Sequence, residues 1–210
     1  MINIDDVKLT TSKCPARVTC NFNNDWCGWT YNQYGDSRIY WELGDGRVID
    51  SNQLKAKNLI SDYDPNNNHG GLIFTDFTRN TKSDNWKIDL FSDVIQDGTS
   101  STGSCLQFSY LQRSEIVNFA VYVTLVQRSQ RVKTVWHSKD FQFESDQWKI
   151  IKNDVSYKES FRFLFTLESN SSSTYVLIDN VLYFDKPCDQ VAHQKPTSKS
   201  GKNFISIKTN

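Results

Sequence analysis

Apolar residues recur at every second position wherever this chain is hydrophobic. Between 117 and 125, Val117, Phe119, Val121, Val123 and Leu125 share one side while Asn118 and Thr124 take the other, which predicts a β-strand with one face on a core. Phe161, Phe163, Phe165 and Leu167 alternate with Arg162, Leu164 and Thr166, and Leu106, Phe108 and Tyr110 alternate with Gln107 and Ser109. Both segments are expected to be half-buried antiparallel strands. Shorter runs at 29–34, 39–43, 72–77, 86–91, 132–137, 148–153 and 175–184 add strands. No segment carries a convincing helical period. Turn chemistry punctuates the runs at Gly44-Asp45-Gly46, Asp64-Pro65-Asn66, His69-Gly70-Gly71 and Asp97-Gly98. About ten strands so divided predict an all-β chain, a two-sheet sandwich of Greek-key or jelly-roll type.

One strand pattern occurs twice. Ile4, Asp5, Val7 and Cys14 fall in register on Ile178, Asp179, Val181 and Cys188. The second copy closes a long strand-rich region and the first has nothing before it, so residues 1–14 are expected to be the closing strand of a preceding, truncated unit. Residues 15–188 then form the complete domain. The stretch 189–210, with Lys195-Pro196-Thr197-Ser198-Lys199-Ser200-Gly201 and no strong pattern, is expected to be linker or disordered tail.

Composition narrows the function. Lys+Arg 24 balances Asp+Glu 24, so no overall charge draws the chain to nucleic acid. Phe 13, Tyr 9 and Trp 6 suit a β-rich core. No apolar run approaches the roughly 20 residues of a transmembrane helix. The start, Met1-Ile2-Asn3-Ile4-Asp5-Asp6, lacks the basic and apolar regions of a secretory signal, which leaves a cytosolic protein or an excised fragment. Five cysteines form no CxxC pair and only three histidines are present, so disulfides are a more economical expectation than zinc. Asn170-Ser171-Ser172 is a glycosylation sequon compatible with an extracellular site.

The run Cys20-Asn21-Phe22-Asn23-Asn24-Asp25-Trp26-Cys27-Gly28-Trp29 resembles the opening of a MAM domain, the module named for meprin, A5 (neuropilin) and receptor tyrosine phosphatase mu. Further matches follow in the family's order: Trp41, His69-Gly70-Gly71-Leu72 leading to Phe74, Cys105-Leu106-Gln107-Phe108, Gln147-Trp148, and Ile178-Asp179-Asn180-Val181 before Cys188. The resemblance spans about residues 20–188. It implies a jelly-roll sandwich of two antiparallel sheets in an extracellular protein, with Cys20 bonded to Cys27 and Cys105 to Cys188. Asn23 stands where the family commonly has glutamate, Asn180 where it commonly has a second aspartate, and Leu90-Phe91-Ser92 lacks a frequent proline. No metal site or cofactor is therefore assigned. Cys14, matching Cys188, is expected to be unpaired because its partner belongs to the preceding unit.

Other residues invite sharper readings. Asp179 and Asp5 are expected to be partly buried structural carboxylates. Trp29 and Trp41 are expected in the core, whereas Trp26 and Trp136, with polar neighbours, are expected at the surface. Gly35-Asp36-Ser37-Arg38 lacks the helix and histidine of an esterase, and His69, His137 and His193 form no visible catalytic set. The chain is therefore expected to be a noncatalytic extracellular adhesion module contacting cell-surface or matrix proteins, itself included, through loops at 45–61, 79–85 or 169–174. A carbohydrate-binding sandwich and a structural spacer are the alternatives.

Overall fold

The alternating segments pair into two stacked sheets in the computed structural model. It describes residues 18–33, 39–45, 70–76, 86–96, 98–99, 101–113, 117–127, 130–142, 144, 147–169 and 175–191, together with the backbone of 205–208. The expected positions 14 and 170 lie outside these residues, as do the repeat at 2–14, most of the three candidate loops, His69 and His193. The first sheet has strand order β1-β4-β9-β6-β7, built from Thr30–Gln33, Trp86–Phe91, Phe161–Ser169, Asn118–Leu125 and Gln130–His137. The second has order β11-β8-β5-β10-β3-β2, from Ile205–Lys208, Lys149–Val155, Ser104–Gln112, Tyr175–Phe184, Gly71–Asp76 and Glu42–Asp45. All pairings are antiparallel except that of β11 with β8. The chain is an all-β sandwich, as its periodicity predicts.

The core is the inner row of each sheet. Phe161, Phe163, Phe165 and Leu167 from β9 are fully buried against Leu106, Phe108 and Tyr110 from β5 and Phe119, Val121 and Val123 from β6. Phe108, Phe119 and Trp136 interlock edge to face, with ring centroids 5.2 to 5.9 Å apart, the geometry that aromatic quadrupoles favour. Trp136 is thus a core residue, 2% exposed, and its expected surface position is corrected. Register shifts in the β6–β7 pairing after Val121 and after Val123 break the period on β7, so Trp136 faces inward opposite Val121 while Val132, Lys133 and Thr134 are exposed.

Two more differences bear on what covers the sheets. β5 is buried along its whole length rather than on one face. Leu72, Phe74, Leu111, Trp148, Tyr175 and Leu177 make a second apolar cluster, separate from the inter-sheet core. Runs such as Val176-Leu177-Ile178, apolar without alternation, belong to strands buried on both sides. Within the expected tail, Ile205–Lys208 pairs in parallel with Lys149–Lys152 of β8, so a tail reading for that stretch is corrected to an edge strand.

Candidate functional site

The matched motifs, distant in sequence, meet where the chain enters and leaves the sandwich. Cys20 and Val181 exchange backbone hydrogen bonds of 2.7 and 2.9 Å, so the entering segment is stitched beside β10. The Thr19 hydroxyl extends the contact by accepting from the Tyr183 amide at 3.0 Å. Cys20 and Cys27 are joined by a disulfide that closes the intervening turn. Cys27 and Phe22 both have positive φ, and Gly28 follows at 86°, so the loop reverses direction within a few residues. The Asp25 carboxylate accepts from the Cys27 amide at 2.6 Å. Cys20, Asp25 and Cys27 approach one another as metal ligands would, but both sulfurs are consumed by the disulfide and the carboxylate by the turn.

Asn23 and Gly71 explain each other. The Asn23 side-chain oxygen accepts from the Gly71 amide at 2.5 Å, so the carboxamide supplies an acceptor where the family commonly has a carboxylate. A Cβ at Gly71 would lie 2.0 Å from the Phe22 carbonyl oxygen, a contact no side chain tolerates. Glycine is required there by close backbone approach. Trp29 lies beneath the loop, donating its indole N–H to the Val18 carbonyl at 3.0 Å and packing edge to face on Phe165 at 5.2 Å. Trp41 is fully buried in the same core.

Asp179 is 1% exposed and accepts from the Asn180 amide at 2.5 Å and from the Asn180 side-chain amide at 3.2 Å. Asn180 has φ 47°, in the left-handed region that Asn and Asp enter more readily than other side chains. It sits at the β10 bulge between Asp179 and Leu182, and the bulge turns Val181 toward Cys20. At the exit, Cys188 is joined to Cys105 at the end of β5, and its amide donates to the Asp154 carboxylate at 2.6 Å. Both disulfides implied by the resemblance are present. Among the described residues, the surface tryptophan is Trp26, half-buried against exposed Tyr31 with ring centroids 5.5 Å apart.

A second feature escaped sequence reasoning. On the outer face of the five-stranded sheet, Asp89 of β4 is 2% exposed. Its carboxylate accepts from the Thr166 hydroxyl at 2.7 Å and lies 3.7 Å from Arg131 and 3.8 Å from Lys87. Arg131 also donates to the Thr166 hydroxyl at 3.2 Å while its guanidinium lies over Tyr122, 4.6 Å from the ring centroid. Arg162 lies over Phe91 in the same way at 4.2 Å. Two arginines therefore cover an otherwise apolar floor of Phe91, Leu164, Ala120 and Tyr122. Lys87 and Glu168 approach to 3.8 Å at one rim. The partly exposed groups of this face are thus Lys87, Tyr122, Arg131, Arg162 and Glu168, set over residues that are themselves buried.

His137 is occupied locally, its Nδ1 accepting from the Lys139 amide at 3.0 Å. Burial and the nearby Glu144 charge raise the Tyr110 phenol well above its ordinary value, which keeps it protonated in the core. No helix among the described residues is long and apolar enough to cross a membrane.

Comparison with known proteins agrees with this architecture. A model of the MAM domain, meprin/A5/mu, matches residues 20–189. The K1 cleaved adhesin domain of Lys-gingipain from Porphyromonas gingivalis W83 is similar in fold, with 13% identity and TM-score 0.52, over 79% of this chain and 95% of that one. Its K2 counterpart matches with 13% identity and TM-score 0.52, over 79% and 97%. A family 11 carbohydrate-binding module of a cellulosomal cellulase of Clostridium thermocellum is more distant, with 9% identity and TM-score 0.46, over 82% and 95%.

Proposed function

The chain belongs to the MAM domain family, and from that premise we propose that it is a noncatalytic contact module of a larger extracellular protein, engaging proteins on a cell surface or in matrix and other copies of itself. MAM domains are extracellular adhesion-type modules and are generally noncatalytic. The observation that carries the reading is the outer face of the five-stranded sheet. Arg131 and Arg162 each stack on a ring and Arg131 also pairs with the buried Asp89 carboxylate, which restricts their orientations before any partner arrives and lowers the ordering cost of binding. The two disulfides, one closing the entry loop and one joining β5 of the six-stranded sheet to the segment after β10, suit an oxidising environment. The buried carboxylates Asp89 and Asp179 are engaged in structural hydrogen bonds rather than facing a substrate.

The test is binding of multimerised chain to intact cells and to immobilised matrix proteins, before and after protease treatment. Saturable binding that protease abolishes supports a protein contact. Binding that survives protease and disappears after glycosidase treatment would replace it with the carbohydrate-binding reading, which the Trp26–Tyr31 surface pair favours. In that case Trp26→Ala removes the signal. No binding by either route leaves the spacer.

A further inference from the structure

Six tryptophans occur in this chain, and Trp26 alone is followed at the third position by another, Trp29. The run Trp26-Cys27-Gly28-Trp29 folds as one tight turn. The Trp29 amide donates to the Trp26 carbonyl at 2.7 Å, and the two central residues both have positive φ, 49° at Cys27 and 86° at Gly28, the pattern of a type I′ turn. The two indoles end in different surroundings. Trp29 is 3% exposed, its N–H held by the Val18 carbonyl and its ring packed against Phe22 and Phe165 at 6.4 and 5.2 Å, which leaves no space for a large substituent. Trp26 is half-buried. Its ring lies 5.5 Å from that of exposed Tyr31, tilted by 38°, and Asn24, Asp25 and Gly28 beside it in sequence are exposed. A bulky, hydroxyl-rich substituent belongs in such polar surface surroundings.

A tryptophan with a second tryptophan at the third position after it is the acceptor pattern of tryptophan C-mannosyltransferases, which work in the lumen of the secretory pathway. So short a pattern gains weight from its structural context, and here the first indole is the one at the surface. Resting on the extracellular reading above, we propose that Trp26 is a C-mannosylation site, with a mannosyl phosphoryl polyprenol as the donor. The electron-rich indole attacks the anomeric carbon of mannose through Cδ1, the bond from that carbon to the phosphate oxygen breaks, and polyprenyl phosphate leaves with the electron pair. Loss of the Cδ1 proton to a base then restores the aromatic ring. One carbon–carbon bond replaces a carbon–oxygen and a carbon–hydrogen bond, and no oxidant is needed. The geometry also sets the order of events, because an enzyme that reads both indoles must meet them before Trp29 enters the core. Sugar transfer therefore precedes folding of the loop between Cys20 and Cys27.

The full chain, placed behind a cleavable secretory signal, is expressed in animal cells that hold a tryptophan C-mannosyltransferase and in matched cells from which that enzyme is deleted. Trypsin cuts after Arg17 and Arg38, so the peptide 18–38 carries Trp26 and Trp29 and none of the remaining tryptophans. After reduction and alkylation, tandem mass spectrometry is expected to find this peptide heavier by one hexose on Trp26 in the first cells and unmodified in the second. A C-linked hexose fragments across its ring and stays on the indole, whereas an O-linked hexose on Thr19, Thr30 or Ser37 leaves whole. Trp26→Phe is expected to lose the added mass. Because transfer precedes folding, occupancy is read in the cell lysate as well as the medium, so a poorly folding variant is still scored. A secreted, disulfide-bonded chain with an unmodified peptide overturns the proposal while the extracellular reading stands. So does a hexose found on Trp29 instead, or one that leaves whole. A chain that neither oxidises nor leaves the cell removes the extracellular reading, and the proposal with it.

Discussion

Removing the Cys105–Cys188 disulfide should cost far more stability than removing Cys20–Cys27, although both close the same domain. The bonds lie 83 and 7 residues apart in sequence. In the chain-entropy model, loops of these sizes correspond to about 4.6 and about 2.5 kcal/mol at room temperature. The folded state hardly needs the long bond for its geometry, since Cys105 already faces Phe184 in the β5–β10 register and Cys188 follows four residues later. Its contribution therefore lies in restricting the unfolded chain. For a domain of this size, about 2–4 °C per kcal/mol predicts Tm decreases of roughly 9–18 °C for Cys105→Ser with Cys188→Ser and roughly 5–10 °C for Cys20→Ser with Cys27→Ser. Urea unfolding followed by tryptophan fluorescence should also show a larger m-value for the first double variant, because its unfolded state exposes more surface. Equal losses with unchanged m-values would refute this reasoning and place the stabilisation in native contacts.

Gly71→Ala should cost about 1–3 kcal/mol, because the added methyl meets the Phe22 backbone and pushes the cysteine-closed loop off β3; a melting temperature equal to the parent's would contradict that close approach. A double-mutant cycle on Asp89→Ala and Arg131→Ala should return a coupling of about 1–2 kcal/mol by urea unfolding, since each single change removes a charge partner of the other while Thr166 and Lys87 stay in place. A coupling near zero would reduce the pair to a surface contact. At high pH the sign follows from Tyr110, whose pKa is raised by burial and then by Glu144. The folded protein retains a phenolic proton that the unfolded chain releases, so this stability is complete below about pH 10 and declines as pH rises further. Tyr110→Phe should flatten that decline, measured as Tm from pH 9 to 11.5; an unchanged slope would assign it to other groups.

The inner faces were legible because burial there repeats at the period of the backbone. Phe161, Phe163, Phe165 and Leu167 announce their strand and its orientation without knowledge of any partner. The cysteine-closed edge was legible for another reason: its residues are specific enough in type and order to match a family. Trp136 was misread because bulges on β6 and β7 interrupt the alternation, so Lys133 and Thr134 beside it suggest solvent. Asp89 was invisible because its burial depends on Arg131, brought over it from the far side of the sheet. A charged residue amid the apolar run Trp86–Phe91 was the available signal, and it does not reveal which cation answers it. β11 was missed because its pairing is parallel and joins segments more than 50 residues apart, which local pattern cannot express.

The stitching of Cys20 to Val181 brings the incoming and outgoing chain to one side of the sandwich, and this decides how the domain would carry a mechanical load. Once β11 has left β8, a pull on the two ends would peel that short antiparallel contact one bond at a time, a low-force geometry, instead of shearing several bonds together. Extension would then stop at the covalent link between Cys105 and Cys188, through which tension passes while the intervening chain is bypassed. The 83-residue separation of those cysteines corresponds to about 280 Å of contour at about 3.4 Å per residue. That length stays out of reach of a stretching force while the bond is intact. Reduction would release it in one step, making the thiol state of the surroundings a setting for how far a tethered partner can be drawn.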